Sequence, residues 1–456
     1  MRFNPDGQRS NIFSIFGFLL IIWSILCIKS DIFPGWPALA PVLGSCFLIA
    51  SGSEAWINKH ILSRRFLVGI GLISFSLYLW HWPLLSWALI MNNGVQPDAI
   101  IRFFIVLLSF SISIFTYFFI EKPFRFYFKQ KIIPIVLIFT MAIIGLTGVV
   151  FYLMKGFPER SHFINFKDEF EQLEYNLPRS TQSDCIGEFS NVGYCYSEDK
   201  PINDTSGIII GDSHARSLFY GLNKAYKEIG GSLSFLGNHS CPPLADIQVF
   251  DGEKYVKCSS FSTILDSILK NKKMKDVFII SRGPLYIEGT GYKEVEKGIK
   301  SILALSDEKL YERSNEEVFE IALNNLFATL LHAGKRVVYI YGVPELGFEI
   351  KQCFKPRPFN PFKYLQNDCT IKIEDFLVRN KKYRLTIDKV IKNYPSVVMV
   401  DPKDIFCDSK YCYGKMNNKI LYRDDDHISY NGSEILGQLI IRALPDQIGS
   451  YPQEVK

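Results

Sequence analysis

The chain has no Gly-x-x-x-x-Gly-Lys-Ser/Thr loop. Gly334-Lys335-Arg336 lacks both the first glycine and the hydroxyl, so a P-loop nucleotide site is excluded. There is no Cys-x-x-Cys, and its ten cysteines therefore form no zinc knuckle. There is no Gly-x-Ser-x-Gly, which removes the nucleophile elbow of α/β-hydrolases. Charge of either sign is not in large excess: 51 Lys and Arg face 46 Asp and Glu, a formal +5. The basic residues are scattered, so no nucleic-acid surface is indicated and none is expected as a partner. Internal repeats and low-complexity tracts are also lacking.

What the chain does have is a division. Residues 1–154 carry long uncharged runs, while residues 155–456 have the composition of a soluble protein. Five runs are candidate spans: 12–28, 38–52, 66–90, 100–120 and 132–154. A crossing helix needs roughly 20 apolar residues. The second run is short and holds Pro37 near its start and Pro41 within it. No small-residue cleavage site follows the first run, and further spans do, so it reads as a span rather than a signal peptide. The connections 53–65 and 121–131 carry Lys59, Arg64, Arg65, Lys122, Arg125, Lys129 and Lys131, whereas 29–37 and 91–99 carry only Lys29. Positive loops stay in the cytoplasm. Five spans then put the N-terminus inside and everything beyond residue 154 outside.

Cysteine placement gives a second, independent signal. Cys185/Cys195, Cys241/Cys258, Cys353/Cys369 and Cys407/Cys412 fall as close couples after residue 154. Structural disulfides in an oxidising compartment fit this pattern better than a metal site. Eight cysteines allow over a hundred connectivities, of which neighbour pairing is one.

In the apolar part, "GLISFSLYLWHWPLLSW" sets His81 between two tryptophans, ahead of Pro83. A histidine at membrane depth usually has a task. A tryptophan belt at the outer interface accounts for it equally well. The charges of Glu121-Lys122-Pro123-Phe124-Arg125 read first as a cytoplasmic anchor.

In the soluble part, 155–205 reads as an irregular extracytoplasmic linker, and 206–456 as the folded domain. Short apolar, β-branched runs at 207–211, 232–236, 276–281, 336–341 and 396–400 lack polar alternation, as strands buried on both faces do. Helical patterns lie between them, clearest at 315–333 and 432–443. The expected fold is a parallel sheet of about five strands with helices on both sides. Ligands bind such sheets at the carboxyl ends of the strands.

Ser213, in "GIIIGDSHARSLFYGL", follows the first strand and opens a helix, whose N–H groups and dipole favour an oxyanion. Asp424 and His427, in "RDDDHISYNGSEIL", follow the last strand at the same rim. A histidine three residues after an aspartate can turn one nitrogen to the carboxylate and offer the other to a serine. Taken singly, Ser213 or Asp212 is more simply a helix cap, and Asp424-Asp425-Asp426 a solvated turn. Their coincidence at one rim favours a nucleophile, a base and an orienting acid. Asn238 and Arg282 close the second and third strands, where either can point a donor at an oxyanion. Asn238-His239-Ser240 also reads as a glycosylation sequon. His214 reads as packing or substrate contact.

Gly211-Asp212-Ser213-His214 with Asp424-x-x-His427 resembles the first and last blocks of the SGNH hydrolase superfamily. "FPGWPALAPVLG", "SFSLYLWHWPLL" and "FIEKPFR" resemble the C-terminal end of acyltransferase-3 membrane proteins, and "CPP" and "ISRGPLY" resemble their fused SGNH domains. The resemblance implies a multi-span helical membrane domain (1–154) followed by a flavodoxin-like α/β SGNH domain. It implies bacterial inner-membrane placement, with the SGNH domain periplasmic. The implied activity is O-acylation, most often O-acetylation, of a cell-surface polysaccharide such as lipopolysaccharide O-antigen. Acetyl-CoA is the implied donor rather than a bound cofactor. Ser213, His427 and Asp424 would be nucleophile, base and orienting acid. Two departures stand out. The family's Gly-x-Asn-Asp block would fall at Ser281-Arg282-Gly283, without an asparagine. The family's N-terminal spans have no counterpart, so a separately encoded N-terminal half is an expected partner. A membrane-anchored carbohydrate esterase and a non-catalytic sugar-binding domain on a remnant anchor are the alternatives.

Overall fold

The computed structural model describes residues 7–28, 35–92, 96–126, 132–157, 185–353 (without 186, 188, 191, 199, 253, 257, 259 and 260) and 369–444. Lys29, Lys129, Lys131 and residues 158–184 of the expected linker lie outside the described residues. Two units divide near residue 150, with the short stretch 91–95 grouped with the second.

The first unit is helical: α1 (Gly7–Cys27), α2 (Leu39–Ala50), α3 (Arg65–Met91), α4 (Ala99–Phe126) and α5 (Ile133–Leu153). Four of these, not the expected five, are long and apolar enough to cross a membrane. The second run is the exception. With its leading 3-10 turn it forms an apolar helix over Trp36–Ala50 only. It ends where the Asn58 amide donates to Leu48 O and Gly52 O, and Ser51 Oγ to Leu48 O. These bonds take up last-turn carbonyls that a longer helix would use itself. α1 and α2 touch backbone to backbone. A Cβ on Gly17 would lie 2.6 Å from Gly44 O, so only small residues permit the approach.

α4 contains a π-turn at Tyr117–Glu121, a distortion that re-aims a side chain. Glu121 accepts from Ser76 Oγ of α3 at 3.0 Å and pairs with Arg125 at 2.9 Å. One turn away, Trp80 Nε1 donates to Thr116 Oγ1 at 3.0 Å. An apolar helix pair is thus fastened by polar ties. His81 lies on α3 with Nδ1 3.0 Å from Leu77 O, just ahead of Pro83.

The second unit is built on a mixed sheet of β1 (Tyr194–Ser197), β2 (Gly207–Gly211), β3 (Leu233–Gly237), β4 (Asp276–Ile280), β5 (Arg336–Ile340) and β6 (Val398–Val400). Their spatial order is β1-β3-β2-β4-β5-β6. All neighbours are parallel except β1, which pairs antiparallel with β3 through Tyr194↔Gly237 and Ser197↔Ser234. The five expected strands are present, in the flavodoxin-like order. The sixth comes from the stretch read as a linker.

Helices cover both faces: α6 (Ser213–Glu228), α7 (Phe261–Lys270), α8 (Gly283–Glu288), α9 (Asn315–His332), α10 (Ile373–Ile391) and α11 (Tyr430–Arg442). Alternation along each strand feeds two separate cores. Ile208, Ile210, Val277 and Ile279 pack with Ile264, Leu326, Phe327 and Ile387 of α7, α9 and α10. Ile209, Phe278, Ile280 and Val338 pack with Leu218, Leu222, Leu436 and Ile440 of α6 and α11. All these side chains are nearly inaccessible, and each contributes about 1.5–3 kcal/mol by burial. This is why the runs read as unbroken apolar segments.

α6 and α11 also meet backbone to backbone. A Cβ on Gly221 would lie 2.0 Å from Ser433 O, and one on Gly437 2.5 Å from Gly221 O. Gly221→Val is therefore expected to lower the thermal midpoint, since overpacking typically costs about 1–3 kcal/mol. An unchanged midpoint in a melting experiment would disprove the contact. The cysteines pair as neighbours: Cys185–Cys195, Cys241–Cys258, Cys353–Cys369 and Cys407–Cys412. Cys27 and Cys46 of the first unit are free.

Candidate active site

β2 ends at Gly211, and its neighbours β3 and β4 mark the point where strand order reverses. Crevices form at such points, outside the carboxyl ends of the strands. Asp212 caps α6: its Oδ1 accepts from His214 N at 2.9 Å. Its Oδ2 accepts from Arg282 N at 2.9 Å and from Tyr286 Oη at 2.8 Å. The turn after β2 is thereby clamped to the turn after β4. Because Asp212 supplies the cap, the Ser213 hydroxyl is left for another contact.

That contact is His427, whose Nε2 lies 2.7 Å from Ser213 Oγ. The loop ahead of α11 is wound by Asp424, whose Oδ1 accepts from His427 N at 2.7 Å and Asp426 N at 3.2 Å. His427 Nδ1 lies 3.1 Å from both Asp424 oxygens. It lies nearer still, 2.7 Å, to Asp426 Oδ1. Ser213, His427 and Asp424 are thus brought together, with a second carboxylate that sequence reasoning missed. Three consecutive aspartates gave no signal to separate it from its neighbours.

A family model described as "SGNH domain (fused to AT3 domains)" matches residues 180–442. The chain belongs to this SGNH family. The match begins well before β2, so the SGNH region takes in β1 and the Cys185–Cys195 bridge. Comparison with curated proteins returns no match. Among solved structures, one similar chain is the periplasmic domain of a lipopolysaccharide acetyltransferase from Salmonella ser. Paratyphi A. It is 19% identical with a TM-score of 0.38, over 61% of this chain and 95% of that one. Another is a Bacteroides fragilis NCTC 9343 protein described as an acylhydrolase. It is 11% identical with a TM-score of 0.30, over 59% of this chain and 97% of that one.

Arg282 of the SGNH domain is not aimed at an oxyanion, which corrects the role expected from its place at the end of β4. Its guanidinium is buried and committed to carboxylates. Nε donates to Glu345 at 2.7 Å, Nη1 to Glu296 at 2.6 Å, and Nη1 lies 2.9 Å from Asp426 Oδ2. Glu345 is held in turn by Arg379. Asn238 stands at the rim beside β2, and its Oδ1 accepts from the Gly193 N–H next to β1. His214 is buried, with Nε2 3.2 Å from Asp426 Oδ2 and its ring centre 4.7 Å from that of His427. His214, Asp426 and His427 are close enough to share a metal ion. The Arg282 guanidinium beside Asp426 opposes a cation there.

Charges in the SGNH site follow from burial and pairing. Burial works against the His427 imidazolium, but the Asp426 charge and the two carboxylates on its ring prevail and raise it to about 10. Burial pulls Asp426 upward, yet His427, His214 and Arg282 hold it well below the usual carboxylate range. Asp425, half-buried beside Asp426, is pushed up to about 8 by burial and then by its acidic neighbours.

Proposed function

We propose that this chain is an O-acyltransferase, in its simplest form an O-acetyltransferase, acting on a bacterial cell-surface polysaccharide such as lipopolysaccharide O-antigen. The observation that carries the reading is the contact of Ser213 Oγ with His427 Nε2 at 2.7 Å, at a helix N-terminus, with Nδ1 held by carboxylates. Ser213 attacks the acyl carbonyl while His427 takes its proton. The Ser213 N–H, at the first turn of α6, receives the developing oxyanion. His427 returns the proton to the leaving group, and an acyl-serine remains. A sugar hydroxyl then gives its proton to His427 and attacks the acyl carbon. Ser213 leaves and recovers that proton. Acetyl-CoA is the donor that fits an acyltransferase-3 membrane part. We read α1–α5 as such a part in the inner membrane, with the SGNH domain periplasmic, a placement supported by its four cysteine pairs.

The test is chemical trapping. Full-length chain in detergent is given p-nitrophenyl acetate and quenched in acid. A mass increase of one acetyl group on the Ser213 peptide is expected, and added polysaccharide should shorten its lifetime and become acetylated. Acetate release at a rate indifferent to polysaccharide would turn the reading to an esterase. Absence of both label and turnover would remove the catalytic reading.

The pH dependence has a fixed sign. His427 acts as base only when neutral, and its proton affinity is raised in the fold. Ester hydrolysis should therefore be lost as pH falls, with the half-point on the alkaline side of the ordinary histidine value of about 6.5. A half-point at or below that value would contradict the pairing of Nδ1.

A further inference from the structure

We propose that Asp426, anchored by Arg282, is a second positioning residue that raises the basicity of His427 beside Asp424, which bonds Nδ1 and shapes the loop. The inference rests on the Ser213–His427 reading above. The two acids differ in surroundings. Asp424 has about a third of its side chain exposed, bonds two backbone N–H groups, and has Arg423 Nε at 3.3 Å. It winds the turn and also takes His427 Nδ1 at 3.1 Å. Asp426 is 3% exposed and has its Oδ1 2.7 Å from His427 Nδ1. A charge removed from water acts more strongly on a neighbour than an exposed one.

Asp426 cannot swing away. Its Oδ2 is held by Arg282 Nη1 at 2.9 Å and faces His214 Nε2 at 3.2 Å. Arg282 is fixed by Glu296 and Glu345, and Glu345 by Arg379. Three buried carboxylates thus surround one guanidinium, leaving negative charge facing the base. The His214 ring, packed against His427, gives Nε2–H to Asp426, and its buried Nδ1 has no hydrogen-bond partner among the described residues. Two further acids, Asp425 and the half-buried Glu349, stand near Asp424 and Asp426 and titrate at raised values because burial disfavours their charge. They are the groups that must be separated from Asp426 by experiment.

The measurement is the pH profile of kcat/KM for p-nitrophenyl acetate with full-length chain in detergent. Profiles are taken for the wild type, Asp426→Asn, Asp425→Asn, Glu345→Gln and Ser213→Ala. In Asp426→Asn the rising limb should move toward acid by roughly 1–3 pH units, the usual effect of an adjacent opposite charge. Its plateau should also fall, since the remaining base is weaker. Asp425→Asn should move the limb less. A limb unmoved in Asp426→Asn, or moved as far in Asp425→Asn, overturns the proposal. Should Asp426→Asn fail to fold, Glu345→Gln decides. It reaches His427 only through Arg282, and it should shift the limb toward acid by a smaller step. No shift there overturns the proposal. Ser213→Ala separates the two readings: activity surviving in it defeats the catalytic reading, whereas activity lost in it with an unmoved Asp426→Asn limb defeats this inference alone.

Discussion

Full-length chain carrying Ser213→Ala is expected to hydrolyse p-nitrophenyl acetate at least about a thousandfold more slowly than the wild type. Without Oγ, nothing else at the N-terminus of α6 can form an ester, because Asp212 is committed to the cap, to Arg282 N and to Tyr286. His427→Ala should cost a similar factor, and the double variant little more, since the two groups act as one device. Asp424→Ala should lose less. His427 Nδ1 would still have Asp426 at 2.7 Å, although the loop would lose the two N–H bonds that Asp424 accepts. Turnover undiminished in Ser213→Ala, measured against uncatalysed hydrolysis, would dismiss the nucleophile.

Arg282→Ala should be among the most destabilising single changes in the SGNH domain. It would leave Glu296, Glu345 and Asp426 around an empty space, with the Arg379 guanidinium left on Glu345. Removing one partner from a buried ionic group typically costs about 3–5 kcal/mol, because the remaining charges stay desolvated. The variant should recover part of that loss as pH falls, since protonating the stranded carboxylates removes their mutual repulsion. The wild type sets a contribution of the opposite sign against the gain from Asp425, which is raised to about 8 in the fold, so the gap between variant and wild type should narrow. In the wild type Asp426 is depressed in the fold, so that contribution is lost as pH falls through the folded value. Denaturant unfolding at neutral and acidic pH checks both signs. A loss under about 1 kcal/mol at neutral pH would mean the carboxylates find other partners.

The parallel core was legible because its strands are buried on both faces, and Ile208, Ile209 and Ile210 leave no polar position to break the run. β1 was not. It is four residues long, sits at an edge and reads Tyr-Cys-Tyr-Ser, with neither apolar continuity nor clear alternation. The second apolar run was over-read, since hydropathy does not see Asn58 reaching back to end α2. At the site, Ser213, His427 and Asp424 could be named because each lies in a short motif at a strand end. The place of Arg282 was legible too, but its partners were not. Glu296 and Glu345 stand on separate loops, and only the folded chain shows that the guanidinium is taken. Asp426 is the clearest case. Adjacent aspartates are indistinguishable in sequence, while one turn of backbone buries one and leaves its neighbours half in water.

The antiparallel strand β1 has a consequence for solubility. The β3 edge of a parallel sheet offers unpaired N–H and C=O groups to any extended chain, and a short covering strand withholds them. Cys195 lies within that strand and is bonded to Cys185 ten residues earlier, so the covering strand is held in a closed loop with the segment that leads into it. Reducing agent would loosen the cover without touching Ser213 or His427, and the newly bared edge would recruit copies of the chain into side-by-side assemblies. Light scattering should therefore rise under reduction before ester hydrolysis falls.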